Sequence, residues 1–160
     1  SNTALGLEIH GNVSPDDKKD LLSMLKTYGL EQFSASRPSE LSGGMRQRAA
    51  LIRTMALKPD ILLLDEPFSA LDYQTQLEVC DDISSIIRTR GKTAILVTHD
   101  LSEAISVADR ILILGSRPGH VTGIMKIQFN QPYDRPLARR NAPDFSVYFN
   151  QLWKEIKEHE

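Results

Sequence analysis

Cysteine is nearly absent: Cys80 is the single one in 160 residues, so the chain can form no disulfide with itself, which suits a reducing compartment. There is no apolar run approaching the ~20 residues that span a bilayer, and the start does not read as a signal peptide, so a membrane role would have to come through a partner. Neither sign of charge dominates; with a net charge of −2, no global basic field points to nucleic acid or an anionic membrane. A phosphate loop of the form G-x-x-x-x-G-K-[ST] is also missing. Its only echo is Gly91-Lys92-Thr93, where the first glycine would fall on Ile86 and Thr93 leads into a strand-like run instead of opening a helix. What remains is ordinary for a globular protein, with 41% apolar and 25% charged residues and enough length for one domain with a real core.

The chain starts "SNTALGLEIHG" without an initiator methionine. Ser1-Asn2 could be the scar of a cleaved tag, or the polypeptide could begin inside a longer protein. Further on, "SPDDKKDLLSMLKTYG" has helix punctuation: Ser14 as cap, Pro15 at the first position, Asp16 and Asp17 at the positive end, Gly29 as terminator. Leu21, Leu22, Leu25 and Tyr28 share one face at helical spacing. A second helix is expected from Gly44 to about Leu57, with Ala49, Ile52 and Met55 or Ala56 inward and Pro59 as its stop.

"ILLLDE" has no alternation, which predicts a strand buried on both faces, as in parallel sheets covered by helices. A helix follows over about Gln74–Arg90, with Leu77, Cys80, Ile83 and Ile87 inward, then a second buried strand in "TAILVTHD". Asp100 and Glu103 resemble a capping box for the short helix in "LSEAISVAD". "RILIL" reads as a third strand with "HVTGIMKI" as its hairpin partner across "SRPG". The tail ends in a helix with a stripe of Phe145, Tyr148 or Phe149, Leu152 and Ile156, and Trp153, like Cys80, is expected in the core. The alternation predicts an α/β fold with a partial parallel sheet, and two or three strands leave an edge open to pairing. The expected division is a helical subdomain over 1–58, half of an α/β core over 59–128, and a tail with a helix over 129–160.

Ligands of open α/β sheets bind beyond the carboxyl ends of the strands. Asp65 and Glu66 close the first strand and His99 follows the second. These types suit phosphoryl transfer: a carboxylate for Mg²⁺, another for a water, and an imidazole for a phosphate oxygen. Each also has a plain structural reading, as a solvated strand end or a satisfied turn residue. "LSGGMRQR" divides in the same way. Ser42 is either only an N-cap, or it and the two glycines bring a helix N-terminus close to an anion. The dipole contributes only ~0.3–1 kcal/mol at an exposed site, so several donors must act together.

Taken in order, "LSGGMRQR", "ILLLDEP", "SALD" and "VTHD" resemble the ATP-binding cassette (ABC) ATPases, with a P-loop NTPase core and an α-helical signature subdomain. Leu41, Ser42, Gly43, Gly44 and Met45 match the signature motif, with Met45 where glutamine is usual. Ile61–Asp65 matches Walker B, Ser69–Asp72 the D-loop, and His99 the switch histidine. The resemblance runs to about Ile127 and implies two cassettes dimerised head to tail, the signature of one closing over ATP held by the other. It further implies that Asp65 holds Mg²⁺ through water, Glu66 polarises the attacking water, His99 steadies the γ-phosphate, and Asp72 couples the two sites.

The family's Walker A loop and Q-loop have no match, so the chain is expected to be the C-terminal part of a longer ATPase and inactive by itself. "ELSGG" and "DEPFSALD" are most similar to bacterial importers, and "LGSRPGHV" to the nitrate, sulfonate and taurine branch. The implied partners are a second ATPase subunit and a transmembrane permease, at the cytoplasmic face of the inner membrane, with no nucleic acid. Arg46, Arg48 and Arg53 are then expected to make local salt bridges on the signature helix. Two alternatives stay open: an ABC-type ATPase acting on DNA or ribosomes, and a non-catalytic interaction module.

Overall fold

The computed structural model describes residues 14–116 and 118–158; the opening "NTALGLEIHG" lies outside them. The chain forms two compact units, one running through Ile95 and the other beginning at Leu96.

In the first unit, α1 (Pro15–Thr27) is closed at its start by a capping box. Ser14 Oγ accepts from the Asp17 amide at 3.1 Å, while the Asp17 carboxylate accepts from the Ser14 amide at 3.2 Å. Gly29, at φ +70°, ends the turn beyond the helix in a backbone region that favours glycine. Leu21, Met24 and Leu25 form the buried stripe. Leu22, expected inside, is exposed. One helical residue is a rotation of ~100°, so a face centred on positions 21, 24 and 25 turns position 22 to solvent.

Two 3₁₀ turns (Glu31–Phe33, Pro38–Glu40) lead into α2 (Gly43–Met55), which buries Gly44, Leu51, Ile52 and Met55. Strand β1 (Ile61–Asp65), helix α3 (Tyr73–Thr89) and strand β2 (Thr93–Val97) then form a strand–helix–strand crossover. The two strands are neighbours in a small parallel sheet. Helix α3 buries Val79, Cys80, Ile83, Ile86 and Ile87, so Cys80 lies in the core as expected. Thr93 opens β2, not a helix, so Gly91-Lys92-Thr93 is no phosphate loop.

The expectation of strands covered on both faces does not hold. Leu62 is 1% exposed, but Ile61, Leu63, Ile95 and Val97 are each more than half exposed. Side chains alternate across a strand, and the described residues cover one face of this sheet only.

The second unit holds α4 (Leu101–Val107), the hairpin β3 (Arg110–Gly115) and β4 (His120–Lys126), α5 (Pro136–Arg140) and α6 (Phe145–Glu158). Strand β3 pairs antiparallel with β4, the hairpin expected from "RILIL" and "HVTGIMKI". Of the two or three parallel strands expected, two pair in parallel among the described residues, and β3 lies in a separate two-stranded sheet. The register breaks by one residue after Ile113↔Gly123, and Leu114 then faces Val121. A short turn makes this pairing local, so it requires no other strand. Ile105, Ile113, Met125, Ile127 and Leu152 form the core, with Phe145, Tyr148, Phe149 and Ile156 of α6 packed against it. Trp153, expected inside, is half exposed with the Lys157 ammonium 5.0 Å from its ring centroid. It lies one helical step from the buried Leu152 and so faces outward.

Candidate nucleotide site

Ser42 caps α2 with an extended backbone (φ −64°, ψ 165°), and its Oγ accepts from the Met45 amide at 3.3 Å. An accepting hydroxyl keeps its own proton to donate. The first-turn amides of Gly43 and Gly44 have no acceptor four residues back within the helix, so this end can address an anion. Leu41 is tied into the same turn, because the Arg46 guanidinium donates to its carbonyl at 2.6 Å. Arg48 pairs with Asp82 on α3 at 2.6 Å, as expected of a local salt bridge. Arg53 lies exposed on the helix surface.

The glycines also have a packing duty that the sequence did not disclose. A Cβ on Gly44 would stand 2.8 Å from Val79 Cγ2 and 3.2 Å from Thr75 Cγ2 of α3. A Cβ on Gly43 would stand 2.8 Å from Leu71 Cδ2. The start of α2 therefore rests directly on the 69–72 segment of the same chain. Asp72 caps α3, its carboxylate accepting from the Thr75 amide at 3.1 Å. Donation from the Thr75 hydroxyl, then from its amide, holds the Asp72 carboxyl below the usual carboxylate range. The spacing Asp72-x-x-Thr75 before a helical run carried that capping signal.

Asp65 ends β1 on its exposed face, and Glu66 follows at φ +46°, a left-handed conformation rare for a residue with a side chain. The turn is held by Ser69, whose amide and Oγ both donate to the Glu66 carbonyl, at 3.3 and 3.0 Å. Backbone strain of this kind costs on the order of 1–3 kcal/mol and gathers where a side chain must be aimed. His99 follows β2, the sheet neighbour of β1, with its ring exposed. Asp100 caps α4, its Oδ1 accepting from the Ser102 and Glu103 amides, so the aspartate half of the expected capping box forms. The Glu103 carboxylate accepts from the Thr98 hydroxyl at 2.6 Å.

Among the described residues no three His, Cys, Asp or Glu side chains gather to hold a metal ion. Asp65 alone fits a Mg²⁺ held mainly by water and phosphate oxygens, and does not fit an ion caged by protein.

The family profile of ABC transporters matches residues 2–69. The ABC transporter ATP-binding protein YtlC of Bacillus subtilis is 43% identical over 155 residues, 97% of this chain and 60% of that protein. Over nearly its whole length the chain is similar to ATP-binding proteins of ABC transporters. ProV, the ATP-binding protein of a glycine betaine/proline betaine transport system of Escherichia coli, is 43% identical over 113 residues, 71% of this chain and 28% of ProV. An ABC transporter solved in an inward-facing conformation shares the fold, with a TM-score of 0.68 at 24% identity over 79% of this chain and 51% of that one. The chain thus spans about 50–60% of the length of curated relatives such as YtlC.

Proposed function

We propose that this chain is the signature-bearing and water-activating portion of the ATPase that drives an ABC importer of small solutes, joined in a longer protein to a Walker A loop and a Q-loop. The observation that carries the reading is Ser42, which gives a lone pair to the Met45 amide and keeps its proton beside the amides of Gly43 and Gly44. That donor set complements a phosphate, and the chain carries no loop to hold the phosphate itself. The γ-phosphate of an ATP bound to a second, head-to-tail subunit completes it.

In this reading Glu66, aimed by the Ser69-held turn, takes the proton of the attacking water. His99 donates to the γ-phosphate, and Asp65 orients water around Mg²⁺, which supplies charge neutralisation when bound. Asp72 couples the paired sites, a role supported by the close approach of Leu71, in the segment that Asp72 ends, to Gly43. The ATPase sits on the cytoplasmic face of the membrane through its permease; no described helix is long and apolar enough to cross one. ProV, named for betaine transport, supports a small-solute cargo, and the "LGSRPGHV" resemblance supports the nitrate, sulfonate and taurine branch.

The test uses Glu66→Gln in the full-length ATPase. Turnover should fall by roughly 10²–10⁴-fold while ATP binding persists and the closed dimer accumulates. Residues 1–160 alone should bind ATP weakly without turnover. Unchanged turnover in Glu66→Gln, or robust hydrolysis by residues 1–160, would refute the proposal.

A further inference from the structure

We infer that Glu103 is a positioning residue for His99, acting through Thr98. Three hydrogen bonds form a closed circuit around the residue that carries the imidazole, and a fourth branches from it to Ser102. Thr98 Oγ1 donates to Glu103 Oε2 at 2.6 Å and accepts from the Asp100 amide at 3.0 Å. Asp100 Oδ1 in turn accepts from the Ser102 amide at 2.7 Å and the Glu103 amide at 3.2 Å. The backbone on both sides of His99 is thus fixed to the first turn of α4, while the ring itself is exposed.

Glu103 is 3% exposed, on the inner side of a helix where an aliphatic residue would pack without the cost of desolvating a carboxylate. The acceptor it supplies fixes the direction of the Thr98 O–H. With that proton committed to Glu103, a lone pair of the same oxygen faces the Asp100 amide. Removal of the carboxylate frees the hydroxyl to rotate, and the segment carrying His99 loses its tie to α4 on the Thr98 side, leaving only the Asp100 cap.

The inference rests on the reading of His99 as the γ-phosphate contact, and two arms separate their failures. In the first, amide hydrogen exchange is measured on residues 1–160. Thr98→Val, of equal volume, should speed exchange at Asp100 by roughly 5–10-fold, the loss of one hydrogen bond, and Thr98→Ser should restore it. Glu103→Ala should match Thr98→Val, the double variant should add nothing further, and Glu103→Gln should fall between. An Asp100 amide as protected in Glu103→Ala or Thr98→Val as in the unaltered chain would overturn the inference.

In the second arm, on the full-length ATPase, Glu103→Ala should lower kcat about 10²-fold with KM for ATP nearly unchanged, as misplacement of a catalytic group does, and Glu103→Gln should recover most of it. Loss of turnover in His99→Ala beside full turnover in Glu103→Ala would overturn this inference alone. Full turnover in His99→Ala would overturn the reading of His99 and, with it, the functional half of the inference.

Discussion

Gly43 and Gly44 are adjacent at the start of α2, yet alanine at the two positions should act differently on stability. In a helix alanine is favoured over glycine by about 1 kcal/mol, so both substitutions begin with a gain. The added methyl meets different neighbours. At Gly44 it would stand 2.8 Å from Val79 Cγ2 and 3.2 Å from Thr75 Cγ2, both β-branched and on a packed helix, so neither side chain can turn aside cheaply. Overpacking of this kind costs about 1–3 kcal/mol, which outweighs the gain. At Gly43 the methyl would stand 2.8 Å from Leu71 Cδ2, the far end of a flexible side chain in a loop, which can swing away. Gly43→Ala should therefore be neutral or slightly stabilising, and Gly44→Ala less stable than it by about 1–3 kcal/mol. Urea unfolding of residues 1–160 measures this as a shift in midpoint at constant m-value. Val79→Ala should also relieve the clash, so that Gly44→Ala with Val79→Ala costs less than the sum of the two, by about 0.5–3 kcal/mol. Equal stability of the two glycine variants, or strict additivity in the double variant, would refute the packing argument.

Asp17 is held at about 2, against an ordinary value of 3.8, first by the hydrogen bond from Lys58 and then by Ser14. A lowered carboxyl in the folded state stabilises above the unfolded value and loses that contribution as pH falls through the folded one. Its share of stability should thus be constant above about pH 4 and vanish between pH 4 and 2; carboxyl ¹³C titration of Lys58→Met should show Asp17 moving back toward 3.8. At Asp72, cap and charge can be separated: Asp72→Ala should lower the urea midpoint, whereas Asp72→Asn, an equally good cap, should not. A loss of ATPase cooperativity in the stable Asp72→Asn full-length protein would assign coupling to the charge, and an equal midpoint loss in both variants would remove the capping account.

The features readable in advance were those whose cause lies within a few residues. Ser14 and Asp17, Ser42 and Met45, and Asp100 and Ser102 are partners two or three positions apart, so the sequence carries both halves of each bond. The β3–β4 pairing needs only a short turn. The apolar stripe of α6 followed from period, and the placing of Trp153 failed because it stands one position off that stripe. Leu22 failed for the same reason, with Met24 taking its place in the core. At the site, the four motifs and their order were visible. The left-handed turn at Glu66, the support of Gly43 by Leu71, and the Thr98–Glu103 bond were not. In the sequence Glu103 reads only as a capping partner of Asp100; its place beside Ser106 on the inner face of the helix is the sign of its burial.

By itself the sequence determined the caps, the crossover of strand and helix, and the residue types available for phosphate chemistry, because short-range bonding and periodicity act before any distant partner arrives. Only the tertiary structure decided which glycine must stay small, which face of the sheet the described residues leave uncovered, and which buried carboxylate anchors the histidine turn. Those depend on what packs alongside, and residues far apart in the chain carry no local mark of the neighbours they will meet.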